Sequence, residues 1–405
     1  MSSSNQSAVV DTQLSPLRSW LSVVSVAVGA FAFVTTEYLP VGVLPQIAND
    51  LHISDGTAGL MVTVPGILAA ISAPAMMFGA GRLDRRFILL ALSVLLLASN
   101  LISAFSTSFA VMLIGRALLG MALGGFWTVA LAASGRLVEE SRAAKAMAMI
   151  FGGITFATVL GVPFGTFLSN LFSWRAAFIA TGILTAVALI AQAILLPALP
   201  SKGSVSISGL RTLLRRSNPR KSVLLVLLVI GAHFTSYTYI APFLAQGGVI
   251  SLSMISAILL GFGIVGMIAN FAISGPAAKN LQASLFWMVV LLMVAEVAMP
   301  LLQSSAPSVT LAVLAWGVAY GAIPLCLSLW LQQTAPDLPE AGSAMLVMGF
   351  QVAIALGSFG GGVVVDHVGV PATLWTGAVL ALLSLFLIAS FGVNNKRLAE
   401  ALATR

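Results

Sequence analysis

Polar residues, glycines and prolines divide the chain into apolar runs of about twenty residues or more, at about 20–45, 54–79, 86–106, 108–134, 143–170, 174–197, 221–247, 252–277, 282–303, 308–333, 340–366 and 370–392. An α-helix rises 1.5 Å per residue, so roughly twenty apolar residues cross the hydrocarbon of a bilayer. The pattern predicts an all-α integral membrane protein of twelve transmembrane helices. The longest polar interruption, 198–220, is rich in Ser, Gly, Lys and Arg and divides the spans six and six. This gives a first bundle over 20–197, a linker over 198–220, a second bundle over 221–392, and tails at 1–19 and 393–405.

The two bundles read as a repeat. Gly120 and Gly124 in the fourth span match Gly317 and Gly321 in the tenth, a spacing of small residues that lets helices approach closely. In that register Arg116 falls opposite Val313, which concentrates polar groups in the first half.

Composition supports the membrane assignment: 59% of the 405 residues are hydrophobic and 8% are charged. A net charge of +7 would point to nucleic acid in a soluble chain. Here all but two of the nineteen basic residues, Arg175 and Arg116, fall on one side of the predicted bundle. The positive-inside rule makes that side, and both termini, cytoplasmic. The Met1–Ser15 tail has no basic patch ahead of an apolar run, so no cleaved signal peptide is expected. The lone Cys326 excludes a disulfide framework. With no phosphate-binding loop, nucleophile elbow or metal-ligand spacing, the sequence points to no enzyme, cofactor or metal.

Chemistry then rests on polar groups inside the spans. Glu37 is the one charge between Trp20 and Leu44, with Pro40 and Pro45 close behind it. A charge in hydrocarbon is costly unless it faces protein or a watery cavity, so it marks a functional site by default. Helix rise puts Glu37 about 25 Å from one face and Arg116 about 12 Å from the other, in a membrane some 40 Å thick. The two can therefore share a depth. Two readings stand: a proton switch, or a static ion pair closing one end of the bundle. His233 opens the stretch His233–Phe243, where hydroxyls, an imidazole and aromatic faces suit a polar organic molecule, or a histidine merely satisfied in the core. Glu296 in the ninth span reads as structural. The loop Gly79–Arg86, with Asp84, Arg85 and Arg86, is either a topology anchor or a latch to the second half. In the fifth span, Gly161, Pro163 and Gly165 predict a kinked, closely packed helix.

These motifs together resemble the major facilitator superfamily, in particular its twelve-span drug:proton antiporter branch, and within it the bacterial sugar efflux and purine ribonucleoside efflux transporters. The resemblance covers essentially the whole chain. Glu37 to Asp50 is similar to the first-span motif of that branch, and Arg116 with Gly120 and Gly124 resembles the fourth-span motif, whose arginine is implicated in proton coupling. Gly161-Val162-Pro163 resembles the antiporter motif of exporters, with Val162 inserted between glycine and proline. Gly79–Arg86 is similar to the gating signature between spans two and three. The resemblance implies substrate binding at His233, Tyr237, Tyr239, Phe126, Trp127 and Gln351, and proton coupling at Glu37 and Arg116. It implies a monomeric bacterial inner-membrane antiporter, with protons, lipid and a small molecule as its partners. Substrates expected are sugars such as arabinose, purine nucleosides or amphenicol-type drugs. A proton-coupled uptake symporter and a non-transporting sensor on the same scaffold are the alternatives.

Overall fold

Long apolar runs with few mid-run breakers fold as long helices. The computed structural model describes residues 15–403 apart from 80–82, 135, 201–206, 247 and 249. Its α-helices are α1 (Pro16–Asp50), α2 (Asp55–Ala58), α3 (Leu60–Gly79), α4 (Arg85–Ala104), α5 (Phe109–Ser134), α6 (Ala143–Leu171), α7 (Trp174–Leu195) and α8 (Ile207–Arg215) in the first part of the chain. There follow α9 (Ser217–Tyr237), α10 (Ile240–Gln246), α11 (Leu252–Lys279), α12 (Leu281–Leu301), α13 (Ala306–Thr334), α14 (Pro339–His367) and α15 (Pro371–Ala403). Twelve stretches among them are long and apolar enough to cross a membrane, close to the predicted runs.

Packing shows the expected two-fold repeat. In the first half α1 packs on α6 and α7, α3 on α5, and α4 on α5 and α7. The second half repeats this, with α9 on α14 and α15, α11 on α13, and α12 on α13 and α15. The halves meet symmetrically as well, α3 against α14 and α6 against α11. The matched glycines have one job in both halves. A methyl group on Gly120 would lie 2.5 Å from the Pro65 carbonyl oxygen of α3, and one on Gly317 would lie 2.6 Å from the Phe262 carbonyl oxygen of α11. Gly321 lies directly on the Gly266 backbone.

The joint between the halves is one-sided. Taking the face that carries the basic residues as the basic face, buried apolar residues of α1 from Leu39 to Ala48, near the opposite face, belong to one continuous core with the second half. Residues Val23–Phe33 of α1, with Leu119–Ala130 of α5, form a separate first-half core toward the basic face. Hydrogen bonds at the opposite face reinforce the joint. Asp366 of α14 accepts from Ser54 Oγ at 3.0 Å and Gly56 N at 3.2 Å, and Asn170 of α6 donates to the Leu252 carbonyl at 3.0 Å.

On the basic face the linker is partly helical. Its residues 207–215 form α8, which sinks Leu213 between Leu331, Ala335, Ala341 and Met345 of the second half. Arg216 then grips Asp337 with two 2.8 Å bonds, and these hold the Asp337 carboxyl below the usual carboxylate range. Arg82, Lys202, Arg405 and most of the 1–19 tail lie outside the described residues.

Close glycine packing sets the sign of a simple test. Where there is room, helical Gly→Ala stabilises by about 0.5–1 kcal/mol. Gly152→Ala, with nothing within 4 Å of the added methyl, is expected to leave or raise the thermal midpoint in detergent, whereas Gly321→Ala is expected to lower it. Equal midpoints for the two variants would contradict the backbone contact between α11 and α13.

Candidate functional site

Proline lacks the N–H that would meet the carbonyl four residues earlier, so Pro40 frees the carbonyl of Thr36, and Pro65 frees that of Met61. In a bilayer such carbonyls need another donor. Arg116 of α5, fully buried, supplies it. Its Nη1 donates to Thr36 O at 2.7 Å, its Nε to Met61 O at 2.7 Å, and its Nη2 to Glu37 O at 2.8 Å. One guanidinium thus ties α1, α3 and α5 together. Of the two readings, the static ion pair is not what the structure holds: Arg116 and Glu37 do share a depth, but the arginine binds the Glu37 backbone, and no ion pair joins it to the carboxylate among the described residues.

The Glu37 carboxylate instead reaches the second half, accepting from Gln351 Nε2 of α14 at 3.2 Å. Glu37 and Gln351 are both buried, and Gln351 Oε1 has no partner among the described residues. The Glu37 segment is held against α6 by the expected glycines. Gly161 packs on Thr35, a methyl there falling 3.1 Å from its Oγ1, and Gly165 packs on Leu39. Pro163 lies between them in α6.

The next residue, Tyr38, stacks at 5.8 Å on Phe234 of α9 and leads into an aromatic cluster. At its centre is His233, fully buried, stacked on Tyr320 at 3.4 Å between ring centres and on Tyr237 at 4.7 Å, with Phe262 and Trp316 around them. Trp316 Nε1 donates to His233 Nδ1 at 3.1 Å, and His233 Nε2 has no partner among the described residues. The seventh span breaks directly beside this cluster, α9 ending at Tyr237 and α10 starting at Ile240. Interrupted membrane helices are a recurring feature of transporter binding sites.

Not every expected residue comes to the cluster. Tyr239 is committed elsewhere, its hydroxyl donating to the Ser358 carbonyl at 2.7 Å and its ring against Gly59 where the halves meet. Phe126 stacks on Phe33 at 4.3 Å, with Trp127 edge-on at 5.5 Å, in the first-half core toward the basic face. Among the described residues, the loop before α4 bonds to the first half and the start of the linker. Asp84 caps α4 through Arg86 N at 2.8 Å and accepts from Leu199 N at 2.8 Å, while Arg86 Nη2 donates to the Ala193 carbonyl at 2.7 Å, and Arg85 N donates to Leu199 O at 2.9 Å. Gly79 ends α3, and the three residues after it lie outside the described residues. Glu296 is fully buried with both carboxyl oxygens unpartnered among the described residues, Oε1 lying 2.6 Å from where a methyl on Gly377 would be.

Over residues 26–348 the chain matches the model of the Major Facilitator Superfamily. It belongs to that superfamily. Among curated relatives, a probable sugar efflux transporter of Mannheimia succiniciproducens is 32% identical over 90% of this chain and 92% of its own. The purine ribonucleoside efflux pump NepI of Salmonella enteritidis is 30% identical over 92% of this chain and 94% of its own. Among solved structures, a point mutant of the nucleoside transporter NupG superposes with a TM-score of 0.75 at 14% identity, over 91% of this chain and 99% of its own, a likeness of fold. As a member of the superfamily the chain is a multi-pass membrane transporter and not an enzyme.

Sequence inspection passes over two features of this transporter. Trp316 lies in an unremarkable apolar run and gains meaning only through His233. Asn100 of α4 donates to Thr36 Oγ1 at 3.2 Å and accepts from Thr181 Oγ1 at 2.8 Å, joining α4 and α7 to the Glu37 segment. A single asparagine in an apolar span is the available signal for it.

If Arg116 serves carbonyls freed by prolines, its loss and theirs are coupled. Arg116→Met is expected to destabilise by about 1–3 kcal/mol per orphaned carbonyl. In a Pro40→Ala/Pro65→Ala background the helices provide their own N–H donors and the penalty shrinks. A double-mutant cycle of unfolding in micelles reads the difference, and strictly additive losses would refute this role for the arginine.

Proposed function

We propose that this transporter is a proton-coupled antiporter that exports small uncharged polar or amphipathic organic solutes from the cytoplasm by alternating access. The observation that carries the reading is the hydrogen bond from Gln351 to the Glu37 carboxylate: a buried acid of the first half bonded to an amide of the second. A charged carboxylate in a dry joint is costly, and opening the cleft to water removes that cost. Proton occupancy and the relation between the halves are therefore linked, which coupling requires. Gln351 can serve both forms of the acid. Its amide N–H₂ bonds the carboxylate, and its unpartnered Oε1 can accept from the protonated carboxyl once the amide rotates.

The aromatic cluster beside Tyr38 supports a solute site for flat or amphipathic molecules, its rings forming an apolar wall in which His233, held between Tyr237 and Tyr320, offers an edge nitrogen. The two efflux relatives, one named for sugars and one for purine ribonucleosides, support export and bracket the substrate class. With the basic face cytoplasmic by the positive-inside rule, both termini are cytoplasmic, the membrane is the bacterial inner membrane, and the joint closes the outer side. The uptake symporter stays as the second reading, because Val162 separates Gly161 from Pro163 in the stretch that resembles the exporter motif.

The test is Glu37→Gln in oriented proteoliposomes loaded with a candidate solute. The wild type is expected to move solute against its gradient when protons flow the other way. The variant is expected to keep binding within about threefold and lose at least tenfold of uphill transport while exchange continues. Uphill transport by the variant would overturn the role of Glu37, and co-directional movement of proton and solute in the wild type would favour the symporter.

A further inference from the structure

His233 presents an unusual situation for a buried imidazole. One ring nitrogen is engaged and the other is not. Trp316 can only donate through its indole N–H, so at 3.1 Å its partner, His233 Nδ1, must act as an acceptor. A neutral imidazole that accepts at Nδ1 carries its hydrogen on Nε2. That N–H is buried and unpartnered among the described residues. The ring cannot rotate out of the arrangement cheaply, since it is sandwiched by Tyr320, parallel within 5° at 3.4 Å, and by Tyr237, within 21° at 4.7 Å. Phe234 and Trp316 close its edges. An unmet donor in a dry, low-dielectric position is costly, and a site that binds a solute recovers that cost only when the solute brings an acceptor.

From this we infer that Trp316 is a positioning residue that fixes His233 as an Nε2–H donor, so that the aromatic site selects solutes presenting a hydrogen-bond acceptor, a ring nitrogen or a carbonyl or hydroxyl oxygen, to that nitrogen. The inference rests on the aromatic cluster being the solute site. Trp316 itself does not bond the solute. It acts by excluding the other tautomer, in which Nε2 would be an acceptor and would favour solute donors instead. A pocket that hydrogen-bonds its ligand rejects an analogue lacking the matching group far more strongly than an apolar pocket rejects a change of size.

The experiment uses the full-length protein in nanodiscs, labelled with ¹⁵N-histidine. In the wild type the His233 signals are expected to show a protonated Nε2 and an unprotonated Nδ1. In Trp316→Phe, which keeps the ring and removes the donor, the two tautomers are expected to mix. The second readout is affinity for a purine ribonucleoside probe and for its deaza analogues, each lacking one ring-nitrogen acceptor. For one of the analogues the wild type is expected to bind at least tenfold more weakly than the parent, and Trp316→Phe is expected to compress that ratio to under threefold. Should Trp316→Phe not fold, benzothienylalanine at position 316, which keeps the bicyclic shape with sulfur in place of the N–H, is used instead and is expected to give the same mixed tautomers and compressed ratio. A wild-type His233 protonated on Nδ1, or a tautomer indifferent to Trp316→Phe, overturns the inference. If the tautomer responds as expected but neither the nucleoside nor L-arabinose is bound or transported, the reading of the cluster as a solute site fails while the positioning by Trp316 stands.

Discussion

Inside a bilayer a backbone carbonyl that loses its N–H partner has no water to turn to, and this constraint shapes the first half of the transporter. Pro40 and Pro65 each create such a carbonyl in neighbouring helices. Arg116 bonds both, and the Glu37 carbonyl besides. Its fixed fork of N–H groups suits several acceptors at once in a way a lysine ammonium does not. The main-chain carbonyls freed in α1 and α3, and the position of the Glu37 segment, all depend on this one side chain being where it is.

With the backbone of α1 secured by the arginine, the carboxylate of Glu37 is left for the second half. Glycines do the rest of the positioning. On α6, Gly161 and Gly165 bring that helix onto α1 on either side of Glu37, while the glycines of α5 and α13 weld each half internally. The aromatic cluster starts one residue along, at Tyr38, so the acid and the aromatic site share a wall. An event in one has a short physical route to the other through Tyr38 and Phe234.

Much of the architecture is legible in hydrophobic run length alone. The twelve spans emerge because the bilayer demands about twenty apolar residues, and the repeat emerges because close helix contact demands glycine at matched positions. The site is legible in part. Glu37 and His233 stand out because polar groups in apolar spans are expensive. Partners do not stand out, since nothing local says that Gln351 lies against an acid 314 residues away or that Trp316 aims at His233. Arg116 illustrates the limit best. Depth along the helix correctly brings it level with Glu37, but only knowledge of which carbonyls the prolines expose would have separated a backbone clamp from an ion pair. Phe126 and Tyr239 lie away from the aromatic cluster, which their sequence does not tell, because an aromatic residue in a membrane span has the same sequence signature in a core, at a helix joint or in a binding site. The linker hides α8 because its apolar positions, Ile207, Leu210, Leu213 and Leu214, are few and diluted by charge.

The arginine clamp also limits how the molecule can move. Because a single rigid planar group holds three helices by their main chains, sliding α1, α3 or α5 past one another would strand several polar atoms in oil simultaneously. Those helices must therefore travel as one block, carrying Glu37 like a fixed tooth. In the alternating-access cycle proposed above, the compliance falls on the contacts of that block with its neighbour, and the bond from the Gln351 amide to Glu37 is the one that opens.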